Sequence, residues 1–479
     1  MKLSTHFSQA KAYVIDNKWL FAILVIAAFL RLFSLENWLH FSGDEARDLF
    51  TVRSILEDGI QLVGPPTSLG NIFLGPFFYY FSLPFYFLAS GSPVGPAIGV
   101  ALLDVVTVVL MYVFSKRHFS KNAAIIASLL YATAFTVLVH ARWAWNPNIM
   151  PFLVVALFLT LSSIFFSKTR QGWRYSTRFV LLGIIVGLSL QSHAQGIWLV
   201  ILVSLVLLWN RTKILGWILT VAALLSTHIP LIVYEAKTGG NKEALRTWIA
   251  ETRTRIPLFE RVKTGVVDFV EIIKEIVLGN ASWTVFLLLI VLPLIVLLIV
   301  YRERIKTIFI EKRMSEKTLF ALVLISITGL LTLISFFLFA EKKYVHYTII
   351  LFVPVFIGLG YGFSLFFRSR KKIGSVCGVV VIAALIGINI ATFYTSEGFS
   401  GKQVPFEELR CVAHTVLEKD EEVSVAIQSE LLGMQELSYV VVWQGGTIHS
   451  KEPYQFGVAD AARDSEGVQC GSLIVVEKK

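Results

Sequence analysis

The chain has 479 residues, of which 55% are hydrophobic and only 16% are charged, and its mean hydropathy is +0.69. Soluble globular proteins carry about 25% charged residues, so a soluble enzyme and a disordered chain are both excluded. The apolar segments are long and do not alternate, which indicates a helical polytopic membrane protein rather than a β-barrel. The formal net charge of +10 would suit nucleic acid, but the basic residues lie in short loops between apolar segments. That placement is typical of membrane topology, so no nucleic-acid partner is expected.

About a dozen apolar runs approach the roughly 20 residues that a spanning helix needs. In chain order they cover residues 18–35, 72–90, 97–115, 122–140, 149–167, 178–194, 196–210, 213–233, 283–301, 318–340, 346–367 and 373–393. The first run carries Arg31 and Glu36 at its end instead of a small-residue cleavage pattern. We therefore interpret it as a retained anchor and not as a cleaved signal peptide.

The basic loops predict the orientation of the chain. Lysine and arginine are concentrated in the N-terminal tail and in five loops, at residues 116–121, 168–178, 211–213, 302–317 and 368–372. Basic loops tend to stay on the cytoplasmic side. All five can lie there together only if residues 72–90 do not cross the membrane, because one more crossing would place them outside. Prolines 76 and 84 break this segment, as expected of a re-entrant or interfacial helix. We predict about 11 spanning helices, with the N-terminus in the cytoplasm and the C-terminus outside; 12 or 13 spans with one exception to the charge rule is the alternative.

The predicted topology leaves three longer segments on the outer side. They are residues 36–96, residues 234–282 and the tail 394–479. Helical spacing is present within the second of them, at 241–251 and 262–277. The chain is thus expected to consist of an all-α membrane domain, residues 1–393, and a small extracytoplasmic domain formed by the tail.

The tail is polar and predicts an α+β fold. A helix is expected at 406–419, and strands are expected at 422–428, 438–443 and 472–477. Cys411 and Cys470 both lie in the tail. They either form a disulfide in an oxidising compartment or remain as two thiols.

The sharpest candidate site follows the first apolar run, where His40, Asp44, Glu45, Arg47 and Asp48 stand close together. Ser42 or Asp44 can cap a helix that runs to about Asp58. On that helix Asp44, Arg47 and Asp48 share one face. A carboxylate there could act as a general base toward a hydroxyl, or could hold a divalent cation such as Mg²⁺ or Mn²⁺. A solvated, capped amphipathic helix is the alternative.

A second outer junction contains Arg142, Asn146 and Asn148. The Arg142 guanidinium could bind a phosphate with two parallel hydrogen bonds. The tryptophans beside it, Trp143 and Trp145, are also typical of a membrane-interface belt.

A third junction contains Lys342, Lys343, His346 and Tyr347. Positive charge is disfavoured on the outer side, so the presence of two lysines there requires a reason. An anionic lipid phosphate would supply one, and a solvated pair beside Glu341 is the alternative.

Histidines and one membrane carboxyl complete the candidates. Five histidines map to the outer ends of predicted helices, namely His40, His140, His193, His228 and His346. They could bind metal or transfer protons, or could make ordinary interfacial hydrogen bonds. Asp104 lies inside a predicted span, where a charge is costly, so it is either functional or paired with a polar neighbour.

The outer Asp44-Glu45-Ala46-Arg47 sequence and the two later junctions, in this order and topology, resemble the GT-C superfamily of membrane glycosyltransferases. The similarity is greatest to its protein O-mannosyltransferase and lipid A aminoarabinose transferase branch. It covers residues 30–165 and 340–360 best and is absent from the tail. The superfamily's proline-containing turn resembles Leu74-Gly75-Pro76 or Gly64-Pro65-Pro66.

The resemblance implies roles for single residues. Asp44 falls on the catalytic aspartate, with Glu45 beside it. The donor phosphate would be held by Arg142, Lys342, Lys343, His346 and Tyr347. Further substrate contacts would come from His40, Arg47, Asn146 and Asn148. Some members have an acidic residue where Asn146 and Asn148 stand, so a two-carboxylate metal site is weakened here.

The resemblance also implies a reaction and a location. A sugar would pass from a polyprenyl-phosphate donor to a hydroxyl of a lipid, glycan or protein acceptor, at the outer face of the plasma membrane. The leaving phosphate makes a nucleotide unnecessary. The alternatives are a transporter or flippase of lipid-linked glycans and a glycan polymerase or ligase that uses the 234–282 segment.

Overall fold

The computed structural model describes residues 17–67, 72–251, 257–300, 314–338, 343–368, 372–395, 404–429, 432–449, 454–460 and 467–477. These residues form a helical membrane domain and a small C-terminal domain with a β-sheet. The predicted fold class, an all-α polytopic membrane protein with a small α+β C-terminal domain, is confirmed.

The membrane domain consists of helices joined by short loops. Their bounds are Lys18–Leu32, Gly43–Glu57, Phe77–Leu88, Val94–His118, Lys121–Thr133, Phe135–Ala141, Met150–Phe165, Trp173–Ser192, Gly196–Trp209, Ile214–Thr227, Ile229–Thr238, Gly240–Glu251, Leu258–Leu278, Trp283–Phe286, Leu292–Val300, Glu316–Leu338, Phe352–Ser364 and Lys372–Thr395. Short segments of 3-10 or π-helix continue several of them, at Asn146–Ile149, Leu287–Val291, Val345–Leu351 and Leu365–Arg368.

Among the described residues, six helices are long and apolar enough to cross a membrane. Three more pairs pass the same test together but are bent by 65°, 61° and 76°. The structure thus offers six to nine spans, and the figure of about 11 stays a prediction. The helices Lys18–Leu32 and Gly196–Trp209 have only 15 and 14 residues within the described chain.

The segment expected to be re-entrant or interfacial contains the helix Phe77–Leu88. It has 12 residues and Pro84 lies inside it. A helix of this length covers about 18 Å, which is less than the ~30 Å of a hydrocarbon core. Its length therefore agrees with a segment that does not cross.

A buried ion pair ties the first helix to the rest of the membrane domain. Arg31 Nε donates to Asp104 Oδ2 over 2.6 Å, and both side chains are almost fully buried. The Tyr131 hydroxyl donates to the other carboxylate oxygen over 2.5 Å. Arg31 Nη1 also donates to the carbonyl oxygens of Ala27 and Ala132. Of the two interpretations of Asp104, the structure therefore supports pairing.

The C-terminal domain is a five-stranded sheet with two helices. Its strands are β1 Glu422–Ile427, β2 Thr447–His449, β3 Phe456–Asp460, β4 Val468–Cys470 and β5 Leu473–Glu477, in the order β2-β1-β3-β5-β4. β1 runs parallel to β2 and β3, and β5 is antiparallel to β3 and β4. The helices are Phe406–Leu417 and Met434–Trp443. Cys411 and Cys470 form a disulfide, the first of the two alternatives, with their Cα atoms 5.6 Å apart.

One predicted strand of the tail is wrong. Residues 438–443 belong to the helix Met434–Trp443. A short run rich in valine does not distinguish a strand from a buried helix by periodicity alone. The helix is selected by packing, because Leu437, Val440 and Val441 are fully buried. The helix and two strands predicted elsewhere in the tail are close to the observed elements Phe406–Leu417, β1 and β5.

The C-terminal domain packs onto the helix Gly43–Glu57, which we call the Asp44 helix. The rings of Tyr439 and Phe50 lie 5.1 Å apart at this interface. The Tyr439 hydroxyl donates to the carbonyl oxygen of Gly91 over 2.7 Å, and Trp443 Nε1 donates to that of Ser90 over 3.1 Å. The Asp44 helix is thereby held between the membrane domain and the C-terminal domain.

We expect the Asp104→Asn variant to be strongly destabilised, because it leaves the Arg31 guanidinium buried without a counter-charge. Breaking a buried pair on one side costs about 3–5 kcal/mol. Thermal unfolding in detergent, followed by circular dichroism, should show a clearly lower unfolding temperature. The half-exposed Asp268 on the helix Leu258–Leu278 provides the matched control, Asp268→Asn.

The double variant Arg31→Met with Asp104→Leu tests whether the destabilisation comes from the unpaired Arg31 charge or from altered packing of the two side chains. Replacing both partners by apolar residues removes the uncompensated charge. The double variant should therefore unfold at a higher temperature than Asp104→Asn. A wild-type unfolding temperature for Asp104→Asn would contradict this account of the pair.

Candidate active site

The Asp44 helix begins with a capping box. Its N-cap is Ser42, and Glu45 Oε2 accepts hydrogen bonds from the Ser42 backbone N–H over 2.8 Å and from the Ser42 hydroxyl over 2.5 Å. Glu45 Oε1 lies 3.6 Å from His40 Nδ1. Since these contacts close the first turn, Glu45 is buried beneath the helix. The structure places it away from the candidate pocket described below.

Arg47 links two carboxylates on the exposed face of the same helix. Its Nη1 donates to Asp44 Oδ1 over 2.6 Å, while its Nε and Nη2 donate to Asp48 Oδ1 over 3.0 and 2.8 Å. The Asp44 side chain is 47% exposed and that of Asp48 only 4%. The predicted common face of these three residues is thus present, with Asp44 at its accessible end.

Asp48 is the buried member of this group. Burial raises the pKa of Asp48 to about 7, against the opposing effect of Arg47 and with a further rise caused by Glu45 and Asp44. The Tyr79 hydroxyl donates to Asp48 Oδ1 over 3.3 Å. Asp48 Oδ2 has no hydrogen-bond partner among the described residues. Burial thus brings the pKa of Asp48 close to neutral pH although Arg47 is its hydrogen-bond partner.

A cavity of about 370 Å³ lies at the start of the Asp44 helix. It brings together six of the residues to which the resemblance assigns a catalytic or substrate-binding role, namely Asp44, Arg47, Asn146, Lys343, His346 and Tyr347. Its other lining residues are Pro66, Thr67, Leu74, Trp145, Pro147, His193, Ala194, Gln195, Ser335 and Phe336. Segments up to about 300 residues apart in the chain thus meet at one pocket. Its lining combines the Asp44 carboxylate with the Lys343 ammonium group and the His346 ring.

Aromatic rings form one wall of the pocket. Trp145 stacks on Trp143, with ring centres 4.3 Å apart and planes 11° apart. The His346 ring centre lies 4.8 Å from that of Trp145 and 4.3 Å from that of Tyr347. His193 follows at 6.4 Å from His346. The His346 ring is therefore packed among aromatic neighbours at the pocket.

The structure places Arg142 outside the pocket. The side chain is 1% exposed, and its Nη1 donates to the carbonyl oxygens of Leu30, Arg31 and Phe33, each over 3.0 Å. Its Nη2 donates to the carbonyl oxygen of Ser34 over 3.2 Å. A helix end leaves its last carbonyl groups without partners, and here the guanidinium supplies them. The donors of Arg142 thus bind the end of the first helix, and its contact with a donor phosphate stays a prediction.

Two other predicted substrate contacts lie behind the aromatic wall. The His40 ring centre is 3.9 Å from that of Trp143, and the Asn148 amide donates to the Trp143 carbonyl oxygen over 2.9 Å. Neither residue lines the pocket. Asn146 does line it, and its amide donates to the carbonyl oxygen of Ser192 over 2.6 Å. His40 and Asn148 thus hold Trp143, on which the pocket residue Trp145 stacks.

The basic junction is described only in part. Lys342 lies outside the described residues, whereas Lys343 lines the pocket with its Nζ 6.0 Å from the centre of the Phe336 ring. Of the five outer histidines, His193 and His346 line the pocket, and His228 bonds locally to Thr227. Within the described chain, no group of three or more His, Cys, Asp or Glu side chains could hold a metal ion. The binding of Mg²⁺ or Mn²⁺ stays a prediction.

The two candidate proline turns prove to be parts of one hairpin. The Gly64 N–H donates to the carbonyl oxygen of Leu74 over 2.8 Å, and Pro66 pairs with Phe73. A Cβ atom at Gly64 would lie 2.0 Å from the Gly75 carbonyl oxygen, so only glycine permits this approach. The hairpin brings Pro66, Thr67 and Leu74 to the pocket.

Sequence reasoning missed Thr67 and Gln195 as pocket residues. Both stand in polar loop positions that no motif distinguishes. His193, two residues before Gln195, was the available signal, since the predicted topology placed it on the same side as the other candidate residues.

The fold has known counterparts. Residues 75–234 match the family model described as dolichyl-phosphate-mannose-protein mannosyltransferase. The structure is similar to ArnT from Cupriavidus metallidurans, with 12% identity, a TM-score of 0.59 and 98% of each chain covered. It is also similar to the oligosaccharyltransferase AglB from Archaeoglobus fulgidus, with 13% identity, a TM-score of 0.53 and 94% of this chain and 70% of the other covered. No curated protein sequence matches the chain significantly.

The fold and the pocket define a polytopic membrane protein with a cavity that is lined by both apolar and charged side chains. The matched segment and the shared fold confirm the resemblance to the GT-C superfamily, including the branch that contains ArnT and the protein mannosyltransferases.

The raised pKa of Asp48 predicts a pH dependence of stability. Between the ordinary value of 3.8 and the folded-state value of about 7, the folded protein binds this proton more tightly than the unfolded chain does. The contribution of Asp48 to stability is therefore greatest in acid and falls as the pH rises through this window. Asp48→Asn should gain unfolding temperature relative to wild type between about pH 5 and pH 8, as measured by thermal unfolding in detergent.

The exposed Asp58, at the end of the same helix, provides the control variant Asp58→Asn. This variant should keep a constant difference from wild type over the same pH range. A constant difference for Asp48→Asn as well would contradict the assignment of the titrating group.

Proposed function

We propose that this protein is an integral membrane glycosyltransferase that transfers a sugar from a polyprenyl-phosphate donor to a hydroxyl of a lipid, glycan or protein acceptor. The observation that carries the proposal is the meeting of Asp44 with Lys343, His346 and Tyr347 at one pocket. A base and a set of phosphate-binding side chains are the two elements that this reaction needs.

Asp44 acts as the general base in this proposal. Its side chain is half exposed to the pocket, and Arg47 holds one of its oxygens, Oδ1. An acceptor hydroxyl that approaches the carboxylate can give up its proton as the new bond forms. The Arg47 bond also fixes the orientation of the carboxylate toward the pocket.

Lys343, His346 and Tyr347 bind the donor phosphate. The acceptor oxygen attacks the sugar C1, the bond between C1 and the phosphate oxygen breaks, and its electron pair stays on the lipid phosphate. The acceptor proton passes to Asp44. Negative charge grows on the phosphate during this step, so the nearby Lys343 ammonium group stabilises the transition state. Attack opposite to the leaving phosphate inverts the configuration at C1.

The named neighbours agree with this donor class. One structure of ArnT is bound to undecaprenyl phosphate, and one structure of AglB is in complex with an inhibitory peptide and a dolichol-phosphate. By analogy, the prenyl chain of the donor would leave the pocket along its apolar lining residues, Leu74 and Phe336. The acceptor would approach from the side of Asp44.

We place the pocket and the C-terminal domain at the outer face of the plasma membrane. The basic loops support this orientation, since it leaves them on the cytoplasmic side. The disulfide between Cys411 and Cys470 also supports it, since disulfides persist in oxidising compartments.

Asp44→Asn should reduce sugar transfer from a polyprenyl-phosphate donor by at least about 100-fold, because the amide cannot accept the proton. Transfer to a hydroxyl acceptor is measured with purified enzyme in lipid nanodiscs. The unfolding temperature is measured in parallel, and we expect it to change little since the residue is half exposed.

Glu57→Gln is the matched control for this experiment. It removes a carboxylate from the opposite end of the same helix, where Glu57 Oε1 accepts from Arg53 Nε over 2.7 Å. Its transfer rate should equal that of wild type. Undiminished transfer by Asp44→Asn would remove the base from the proposal, and glycan flipping without any transfer by the wild type would instead support a flippase.

Lys343→Gln should lower kcat/KM for the donor by about 10–100-fold, since a hydrogen bond to a charged group contributes about 1.5–3 kcal/mol. The KM for the acceptor should change little. Initial rates are measured at varied donor and fixed acceptor, and then the reverse.

Lys263→Gln serves as the charge-matched control, since Lys263 is exposed on the helix Leu258–Leu278, near Glu260. If both lysine variants lose kcat/KM equally, the loss comes from general surface charge and not from a phosphate contact of Lys343. A loss confined to the acceptor KM would move Lys343 to the acceptor side.

A further inference from the structure

A second cavity, of about 320 Å³, lies between the helices Trp173–Ser192 and Ile214–Thr227. Its polar lining comes from the two loops that precede these helices, and includes Arg170, Arg211 and Lys213. Its apolar lining includes Phe179 and Leu219. The cavity is therefore charged at one end and hydrocarbon-like at the other.

The second cavity lies far from the candidate active site. Gly172, the N-cap of the helix Trp173–Ser192, lines the second cavity, while His193, its C-cap, lines the first. A helix of 20 residues is about 30 Å long, which is the thickness of a hydrocarbon core. The two cavities thus open at opposite membrane surfaces.

The described lining of this cavity contains cations and no carboxylate. The sequence, moreover, has no aspartate or glutamate between Asp104 and Glu235, a stretch that contains both helices and both loops. Three cations gathered around a cavity without a carboxylate create a positive potential that attracts an anion.

Two helix N-termini add to this potential. Gly172 and Lys213 are the N-caps of the two helices, and both line the cavity. Neither N-cap makes a side-chain capping bond, and neither helix has an acidic residue in its first turn. The first-turn N–H groups and the positive ends of both helix dipoles therefore favour an anion at this position.

The lining also contains a buried polar side chain. Asn210 is 5% exposed and lines the cavity, and its Oδ1 has no hydrogen-bond partner among the described residues. Its amide nitrogen donates to Thr212 Oγ1 over 3.1 Å. A hydroxyl group of a ligand would satisfy this acceptor.

The apolar end of the cavity continues onto a surface that faces lipid. Ile214, Leu215 and Ile218 are 73%, 57% and 55% exposed along the first two turns of their helix. Leu215 also lines the cavity beside Phe179 and Leu219. An amphiphile can thus place its phosphate among the loop cations and its chains along this helix.

We propose that the second cavity binds the head group of an anionic phospholipid at the membrane surface opposite the candidate active site. Arg170, Arg211 and Lys213 hold the phosphate, and Asn210 accepts a hydrogen bond from a head-group hydroxyl such as those of phosphatidylglycerol. The acyl chains lie against Phe179 and Leu219. This site does not depend on the proposed transferase activity.

The test is a lipid titration followed by native mass spectrometry, with full-length protein released from detergent. One phosphatidylglycerol should bind tightly, and phosphatidylcholine should not. The triple variant Arg170→Gln, Arg211→Gln, Lys213→Gln should bind phosphatidylglycerol at least about tenfold more weakly, since charge-assisted bonds to the phosphate are lost. Asn210→Leu should reduce the preference for phosphatidylglycerol over phosphatidic acid, which lacks the head-group hydroxyls.

A second triple variant separates a binding site from general surface charge. Lys116→Gln, Arg117→Gln and Lys121→Gln remove the same charge from another basic loop that does not line the cavity. This variant should bind phosphatidylglycerol like wild type. Equal weakening in both triple variants would overturn the proposal, because it would reduce the effect to loop charge.

Folding and the lipid origin of the ligand need two further measurements. Arg211→Gln alone, with a wild-type unfolding temperature, should still lower the affinity; unchanged affinity in this folded variant would count against the site. Inorganic phosphate in excess should displace little lipid, because it lacks the chains that contact Phe179 and Leu219. Complete displacement by phosphate would assign the cavity to a soluble anion and overturn the lipid assignment.

Discussion

The bond network of the Arg142 guanidinium is the constraint on which the arrangement of the site depends. Four carbonyl oxygens between Leu30 and Ser34 accept hydrogen bonds from its two terminal nitrogens. These carbonyl groups lie in and just beyond the last turn of the first helix, where a helix lacks partners for its last carbonyl groups. Asp104 binds Arg31 in the same turn. Together these bonds fix the direction in which the chain leaves the first helix. That direction sets where the Asp44 helix begins.

The two kinds of cation in this protein have different tasks. Arg31 and Arg142 are fully buried, and their planar guanidinium groups satisfy several oxygens at once. Lys343, by contrast, lines an open pocket. The arginines thus build the framework around the site, and we assign the chemistry to side chains that the framework leaves accessible. The same division applies to the acids, since Glu45 caps a helix while Asp44 faces the cavity.

The C-terminal domain completes the support of the Asp44 helix. Tyr439 contacts Phe50 on this helix and binds the Gly91 carbonyl oxygen at the end of the following one. The disulfide between Cys411 and Cys470 joins a helix of this domain to its sheet. Residues that take no part in the proposed chemistry therefore determine how firmly the base is held. The tail thus contacts the membrane domain at the Asp44 helix and at the turn after Leu88.

Much of the fold was determined by the sequence alone, because membrane helices leave a strong local signal. Long apolar runs, basic loops and the Ser42-to-Glu45 cap depend on neighbouring residues only, and they predicted most helices and the start of the Asp44 helix. The common face of Asp44, Arg47 and Asp48 followed from helical spacing for the same reason. Tertiary structure decided the rest. In the folded protein the valine-rich run at 438–443 is a helix, and Asp104 is paired with Arg31. The Arg142 guanidinium lies at the end of the first helix and does not line the pocket. A charged or β-branched residue has several favourable environments, and only the packing of distant segments selects one of them.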